Sequence, residues 1–347
     1  MKLLCFLFAI FFSTHTAKAQ MPDLLKQYYS YVNQAEMQVV ESDYVLASLL
    51  YDSAFNYLTQ PFGRDLYNRA VCASLLRDYK TADTLLTFLV AKAYPIDSLT
   101  IRAVFQEFFE SDRGKQLIRF ADTNPEHYDV KLRHLVDSIL VVDQHFRKME
   151  GGYDVYGDTI KKIDRSNVDL IEQLIAKHGF PSQALIGVYP DFDYWSIRIM
   201  IIHNQVGGWG EENQYLNFTD ILYQAIYKGA LDVRLASQLV AGSLGNDIYG
   251  DWLTGIERHG LELENQDAID STLSDWGFIK PSDQMERDID SIRAGIGLCS
   301  LQDTRTKTVY GMHDNRFKMT DPTGRRILLW SNKNQYEEAV SNMIPTE

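Results

Sequence analysis

Eight polar residues in the second half of the chain have side chains that could bind a ligand or take part in catalysis. They are Asp143, Arg147, Asp164, Asn167, His178, His203, Tyr249 and Arg293. A carboxylate, an imidazole and a guanidinium brought together can transfer protons and stabilise developing charge. In such a site His203 would act as the acid–base and Asp143 would orient it. The alternative is a structural network, because buried polar side chains satisfy one another's hydrogen bonds.

The motifs of the common catalytic and metal sites do not occur in this sequence. A zinc site made of His178, His203 and a carboxylate would lack the closely spaced ligand pair that such sites usually show. The chain has no H-x-x-x-H, H-E-x-x-H or G-x-S-x-G sequence. We therefore expect no bound metal and no cofactor.

A helix that begins near residue 127 positions the first two of these residues. Its apolar face consists of Leu132, Leu135, Val136, Ile139 and Phe146. Asp143 falls on the same stripe, because it follows Val136 by seven residues and Ile139 by four. A buried carboxylate needs a partner, and Arg147 lies one turn further along the helix. We expect Asp143 to be buried and paired.

Two further predicted helices and a turn carry the other candidates. One helix is expected to start near Ser166, after Asp164, and to end with His178 before the Gly179–Pro181 turn. The next covers about residues 192–206, contains His203 and is apolar on nearly all sides, which is typical of a buried helix. Tyr249 lies in a turn, and Arg293 ends a helix predicted over 284–294.

The first half of the chain contains a short internal repeat. Asp43 and Tyr44, with Ala47 three residues after the tyrosine, are matched 35 residues later by Asp78, Tyr79 and Ala82. Each copy is preceded and followed by a predicted helix. The pattern over about residues 23–95 resembles tetratricopeptide repeats, in which an aromatic residue and a small alanine open the second helix of each pair. A plain helical bundle is the alternative interpretation.

Residues 132–301 resemble a bacterial family known only as domain-of-unknown-function 6624. The residues that carry the resemblance are Asp143-Gln144 with Arg147, Asp164 with Asn167, His178-Gly179-Phe180-Pro181, Ile186-Gly187, His203, Tyr249-Gly250, and Arg293 with Gly297-Leu298. The chain departs from the family pattern at Asp251-Trp252, where relatives carry Thr-Gln. The resemblance implies a helical domain with these residues in common, and it brings no assigned activity.

The first nineteen residues have the features of a secretory signal peptide. Lys2 supplies positive charge, residues 3–12 are apolar, and Ala17-Lys18-Ala19 is a small-x-small cleavage site. The apolar run is too short to span a bilayer. We therefore expect an exported protein, located in the periplasm or outside the cell, whose mature chain begins at Gln20.

Charge and cysteine usage restrict the partners. Loss of Lys2 and Lys18 with the signal peptide takes the formal net charge from −13 to −15. We expect no binding to nucleic acid, because phosphate backbones repel such an acidic chain, and no membrane span. Cys72 and Cys299 lie far apart in sequence, so two buried free thiols are favoured over a disulfide.

The sequence therefore predicts a mainly α protein with a small β element near its C-terminus. Residues 20–121 are expected to form helical-hairpin repeats, and residues 127–301 a predominantly helical domain. Residues 302–347 are expected to form an extension with short strands at about 306–312 and 325–330.

The favoured function is a non-enzymatic binding or scaffold protein, because helical repeats are interaction modules that present a groove to a protein or peptide. The alternative is a hydrolase-like enzyme with a polar pocket around Asp143, Arg147 and His203. The sequence specifies neither the ligand nor the oligomeric state.

Overall fold

The computed structural model describes most of the chain. The described residues are 21–123, 127–192, 198, 201, 203, 218–244, 248–254, 257–261, 275–319, 326–330 and 333–346. The expected signal peptide and most of the 192–206 helix lie outside them. The described part is mainly α, as predicted. Within it, no helix combines the length and the apolar character needed to cross a bilayer.

Seven helices form the N-terminal part. They are α1 (Asp23–Val40), α2 (Tyr44–Phe55), α3 (Gly63–Leu75), α4 (Tyr79–Ala91), α5 (Ile96–Thr100), α6 (Gln106–Glu110) and α7 (Asp112–Thr123). The pairs α1–α2 and α3–α4 pack as antiparallel hairpins. Helix α3 lies at the centre, and nearly all of its residues are buried.

The two hairpin turns have the same backbone geometry at a shift of 35 residues. Ser42 and Arg77 both adopt left-handed conformations, with φ of 62° and 59°. The next residue in each case, Asp43 or Asp78, caps the second helix by accepting a hydrogen bond from the amide three residues on. The repeat therefore has a structural counterpart in this chain, while its membership of the tetratricopeptide family stays a prediction.

Helices α8 (Val130–Arg147), α9 (Gly152–His178) and α10 (Gln183–Ile186) follow. The glycines at 151 and 152 separate α8 from α9, as predicted. The expected start of α9 near Ser166 was wrong, because the helix begins fourteen residues earlier, at Gly152. Ile160 is fully buried and extends the stripe of Asp164 by one turn, so packing stabilises a segment whose polar composition resembles a loop.

The rest of the described chain contains α11 (Thr219–Tyr227), α12 (Val233–Leu244), α13 (Asp283–Gly295), α14 (Leu301–His313) and α15 (Lys333–Ser341). The strand predicted over 306–312 was wrong, since these residues belong to α14. Ser300 caps this helix by accepting from the Asp303 amide. Leu301, Arg305 and Thr308 are buried at helical spacing, and this burial outweighs the strand preference of the β-branched residues.

Four short strands form one sheet in the order β3-β1-β2-β4. They are β1 (Glu257–Leu261), β2 (Asp275–Ile279), β3 (Arg326–Trp330) and β4 (Met343–Pro345). Strand β3, which was predicted, pairs in parallel with β1, and the other pairs are antiparallel. The sheet therefore joins residues on both sides of the proposed boundary at 301–302, and α14 packs against α1.

Candidate functional site

Four of the candidate residues meet where α8, α9 and His203 come together. We call Asp143, Arg147, Asp164 and His203 the Asp143 cluster. The Nδ1 atom of His203 lies 3.1 and 3.0 Å from the two carboxylate oxygens of Asp143. Arg147 donates to both carboxylate oxygens of Asp164 at 2.9 and 2.8 Å. Its other terminal nitrogen lies 3.5 Å from Asp143, so the guanidinium connects the two carboxylates.

The helix periodicity explains this meeting. Asp143 and Asp164 each occupy the buried face of their own helix, in line with Ile139 on α8 and Ile160 on α9. As predicted, Asp143 is buried, and its side chain has no exposed surface. The cluster reaches solvent through His203 and Arg147, whose side chains are 23% and 18% exposed.

The two carboxylates of the cluster have pKa values shifted in opposite directions. Burial raises the pKa of Asp143, but hydrogen bonds from His203 and Gln144 and the charge of Arg147 outweigh it, so the net shift is downward. Burial also raises the pKa of Asp164, and there Arg147 does not fully compensate, so the net shift is upward. Paired carboxylates with divergent pKa values are found at many catalytic sites.

The remaining candidates do not join this cluster. His178 is exposed at the end of α9. Arg293 donates to the main-chain oxygen of Tyr249 at 2.8 Å and to Thr304, and it ties the 249 turn to α13 and α14. Asn167 is buried on the same face of α9 as Asp164, one turn further on, and its amide nitrogen has no hydrogen-bond partner within the described part of the chain.

A second buried network, which sequence reasoning missed, surrounds Arg234. This guanidinium contacts Glu36, Asp65 and Asp232 at 2.9, 2.8 and 2.6 Å. Lys307 on α14 pairs with Glu36 at 2.6 Å. The partners are up to 271 residues apart in sequence, so no local spacing indicates them.

An open cleft borders this network, with about 800 Å³ of space including the part open to solvent. Arg293, Lys307 and Cys299 contribute to its lining. The Cys299 sulfur lies 3.5 Å from the Lys307 ammonium. Burial lowers the pKa of Lys307, but its interactions with the Cys299 sulfur and the Glu36 carboxylate outweigh it and raise that pKa overall. Both Cys72 and Cys299 are free thiols, and Cys299 is only partly buried, contrary to expectation.

The surface of the hairpins is occupied by the chain's own residues 314–319, which we call the strap. Asn68 on α3 accepts from the Lys318 amide at 2.7 Å and donates to the Lys318 carbonyl at 3.0 Å. Phe317 is buried and stacks on Tyr44 of α2, with ring centroids 5.9 Å apart. No pattern in the sequence predicts that this segment contacts the hairpins.

Comparisons with protein-family models, with curated proteins and with solved structures found no match. Both resemblances therefore stay predictions.

Proposed function

We propose that this is an exported, non-enzymatic binding protein whose helical hairpins recognise a short stretch of polypeptide. One observation supports this proposal most. Asn68 pairs with both main-chain groups of Lys318, so its surroundings on α3 hold a short peptide segment by its backbone. Main-chain pairing gives affinity that is independent of sequence, and pockets for side chains add specificity.

Side-chain contacts indicate what kind of peptide fits this surface. Phe317 and Met319 are buried. Lys318, which lies between them, and Arg316, which precedes them, remain partly exposed. Arg316 donates to the hydroxyl of Tyr44 at 3.0 Å. A partner with an aromatic residue flanked by basic residues would make the same contacts, and its charge would suit a protein of net charge −13 or below.

Because the strap already fills the site, an external peptide has to displace it before binding. A tethered segment competes at an effective concentration in the millimolar range. An external peptide binds only the fraction of molecules in which the strap has left, so its apparent dissociation constant increases as that fraction falls. The proposal therefore predicts weak peptide binding to the intact protein and stronger binding when the strap is weakened.

Fluorescence anisotropy with a labelled peptide of sequence DNRFKM tests this directly. Phe317→Ala removes the buried ring from the strap and leaves Tyr44 and Asn68 in place. Burial of a phenylalanine is worth about 1.5–3 kcal/mol, so the apparent affinity for the peptide should rise roughly 10- to 100-fold over wild type. Asn315→Ala, at an exposed position of the same strap, is the matched control and should leave the affinity unchanged.

A second variant checks where the peptide binds. Adding Asn68→Ala to Phe317→Ala removes the backbone contacts and should return the affinity to the wild-type level or below. If Phe317→Ala binds the peptide no better than Asn315→Ala, the hairpin surface is a folding interface alone and the proposal is wrong.

A hydrolase-like enzyme at the Asp143 cluster is the second candidate. The observation in its favour is the contact between Asp143 and Nδ1 of His203, which leaves Nε2 for proton transfer. Arg147 would stabilise negative charge. Loss of a hydrolytic activity in His203→Ala, with the peptide affinity of the Phe317→Ala background unchanged, would favour this alternative.

A further inference from the structure

We infer that the Asp143 cluster binds one divalent transition-metal ion through Asp143, Asp164 and His203. One ligand atom from each of these residues can be chosen so that all three lie within 4.8 Å of one another. Ligand atoms of a single ion at the ordinary distances of about 2.0–2.2 Å lie at most about 4.4 Å apart, so the side chains would only need to move slightly closer together around it. This inference goes beyond peptide recognition and is independent of it, since the strap and Asn68 belong to a different surface.

The three side chains are held in place before any ion arrives. Arg147 donates hydrogen bonds to both carboxylate oxygens of Asp164, and Gln144 donates to Asp143 at 2.7 Å. Hydrogen bonds of this kind orient metal ligands and are nearly as characteristic of a metal centre as the ligands themselves. Each carboxylate oxygen has two acceptor positions, so the bond from Arg147 leaves one free for a metal ion.

The charge of the cluster also favours a cation. Asp143 and Asp164 share a single guanidinium, and their side chains are only 0% and 13% exposed. A buried carboxylate without full compensation costs free energy. A divalent ion would compensate the remaining negative charge at the one point that both carboxylates and the imidazole reach.

The donor set indicates the class of ion. An imidazole nitrogen suits zinc, iron, copper or nickel, whereas calcium and magnesium prefer sites made of oxygen alone. Three protein ligands leave at least one position open for water or a substrate. The amide nitrogen of Asn167, buried and without a partner in the described residues, is one turn from Asp164 and could donate to such a water.

Isothermal titration of Zn²⁺ into the chelator-treated mature protein tests the inference, with Mg²⁺ as the comparison ion. We expect one Zn²⁺ per chain, weak or undetectable Mg²⁺ binding, and a higher melting temperature with Zn²⁺. The titration is done in the Cys299→Ser background, because a partly buried thiol is itself a zinc ligand.

Matched histidine variants identify the site. His203→Ala should weaken Zn²⁺ binding by more than about 100-fold, which exceeds the usual effect of an outer hydrogen-bond partner. His178→Ala removes an exposed histidine from the same part of the chain and should have no effect. Asp164→Asn keeps the size of the side chain and serves as a second test of the Zn²⁺ site if His203→Ala does not fold.

Two outcomes would overturn the inference. In the first, the protein takes up no Zn²⁺ at micromolar concentration, and the cluster is a purely structural ion-pair network. In the second, Zn²⁺ binds equally well to wild type, His203→Ala and Asp164→Asn, and the ion lies elsewhere. Neither result would affect the peptide-binding proposal, which is measured on other residues.

Discussion

Asp65 is fully buried beside two other carboxylates, and it governs how the network around Arg234 responds to pH. Glu36, Asp65 and Asp232 share the cations Arg234 and Lys307, and the charge of Arg64 also acts on Asp232. Burial is the largest influence on Asp65 and, with the neighbouring carboxylates, raises its pKa to about 6 despite the opposing charge of Arg234. Asp232, on the same guanidinium, has a lowered pKa because Arg234 outweighs the effect of burial there.

The raised pKa of Asp65 has a defined effect on stability. Its folded-state pKa of about 6 lies above the ordinary value of 3.8, so the folded protein binds this proton more tightly than the unfolded chain. The stabilising contribution is therefore complete below about pH 3.8 and is lost as the pH rises through about 6. Asp65→Asn removes this dependence, because the amide does not titrate.

Urea unfolding of wild type and Asp65→Asn at several pH values between 4 and 7.5 measures the effect. We expect wild type to lose stability relative to the variant as the pH rises through about 6. The difference between the two proteins isolates Asp65, because the other titrating groups are common to both. A difference that stays constant over this range would contradict the account.

Asp143 allows a second prediction at the scale of single residues. Removing one member of a buried charge pair leaves the other uncompensated and typically costs about 3–5 kcal/mol. Asp143→Ala should therefore lower the free energy of unfolding by roughly this amount. Asp158→Ala, at an exposed position within α9, should change it by less than about 0.5 kcal/mol. Thermal melts in the presence of a chelator provide the measurement, and equal melting temperatures would show that the pair contributes nothing.

At the scale of the elements, the equivalent turns of the two hairpins are the clearest regularity. Ser42 and Arg77 hold a left-handed backbone conformation that costs an ordinary residue about 1–2 kcal/mol. Asp43 and Asp78 then start the second helices. The sequence repeat therefore encodes a turn geometry and a helix cap as well as the small alanines in the helix contact.

Two Ser→Gly variants test the turn geometry, and we expect them to change the free energy of unfolding in opposite directions. Ser42→Gly relieves the strain of the left-handed conformation and should stabilise the protein by about 0.5–1 kcal/mol. Ser30→Gly makes the same chemical change at an exposed position inside α1 and should destabilise it by a similar amount. Chemical denaturation distinguishes them, and destabilisation by both would mean that the turn is not left-handed in solution.

The sequence predicts an element where local residue patterns determine its conformation, and fails where burial in the folded protein determines it. Helices α1 to α4 and α8 were predictable because apolar residues recur at helical spacing and glycine or aspartate marks their ends. The first turns of α9 and all of α14 were not, because burial of Ile160 and Thr308 in the folded protein decides their conformation. Local composition favoured a loop and a strand at these two places.

In the candidate site, too, the sequence predicts the contacts within one helix but not the contacts between distant segments. The burial of Asp143 and its contact with Arg147 follow from spacing within one helix. The contacts of Asp143 with His203, and of Arg147 with Asp164, join three helical segments. Nothing in the spacing of Tyr249 and Arg293 showed that they belong to a separate group. The Arg234 network could not be predicted, because its members come from α1, α3, α12 and α14.

At the scale of the whole molecule, the C-terminal third of the chain folds back on the N-terminal hairpins. Lys307 on α14 reaches Glu36 on α1, and the strap reaches Asn68 on α3. The hairpins therefore bind a segment of their own chain in the way proposed for an external peptide. Recognition would require the exchange of one short segment for another, with the site occupied before and after.

Hydrogen exchange at the Lys318 amide tests this exchange most directly. This amide donates to Asn68 at 2.7 Å, so it should be protected in the free protein, and Asn68→Ala should abolish the protection. Saturating peptide of sequence DNRFKM should accelerate exchange at Lys318, because the strap leaves its place, while the core amides of α3 keep their protection. An amide that remains fully protected with peptide bound would show that the strap is a fixed part of the fold, and would contradict the central claim.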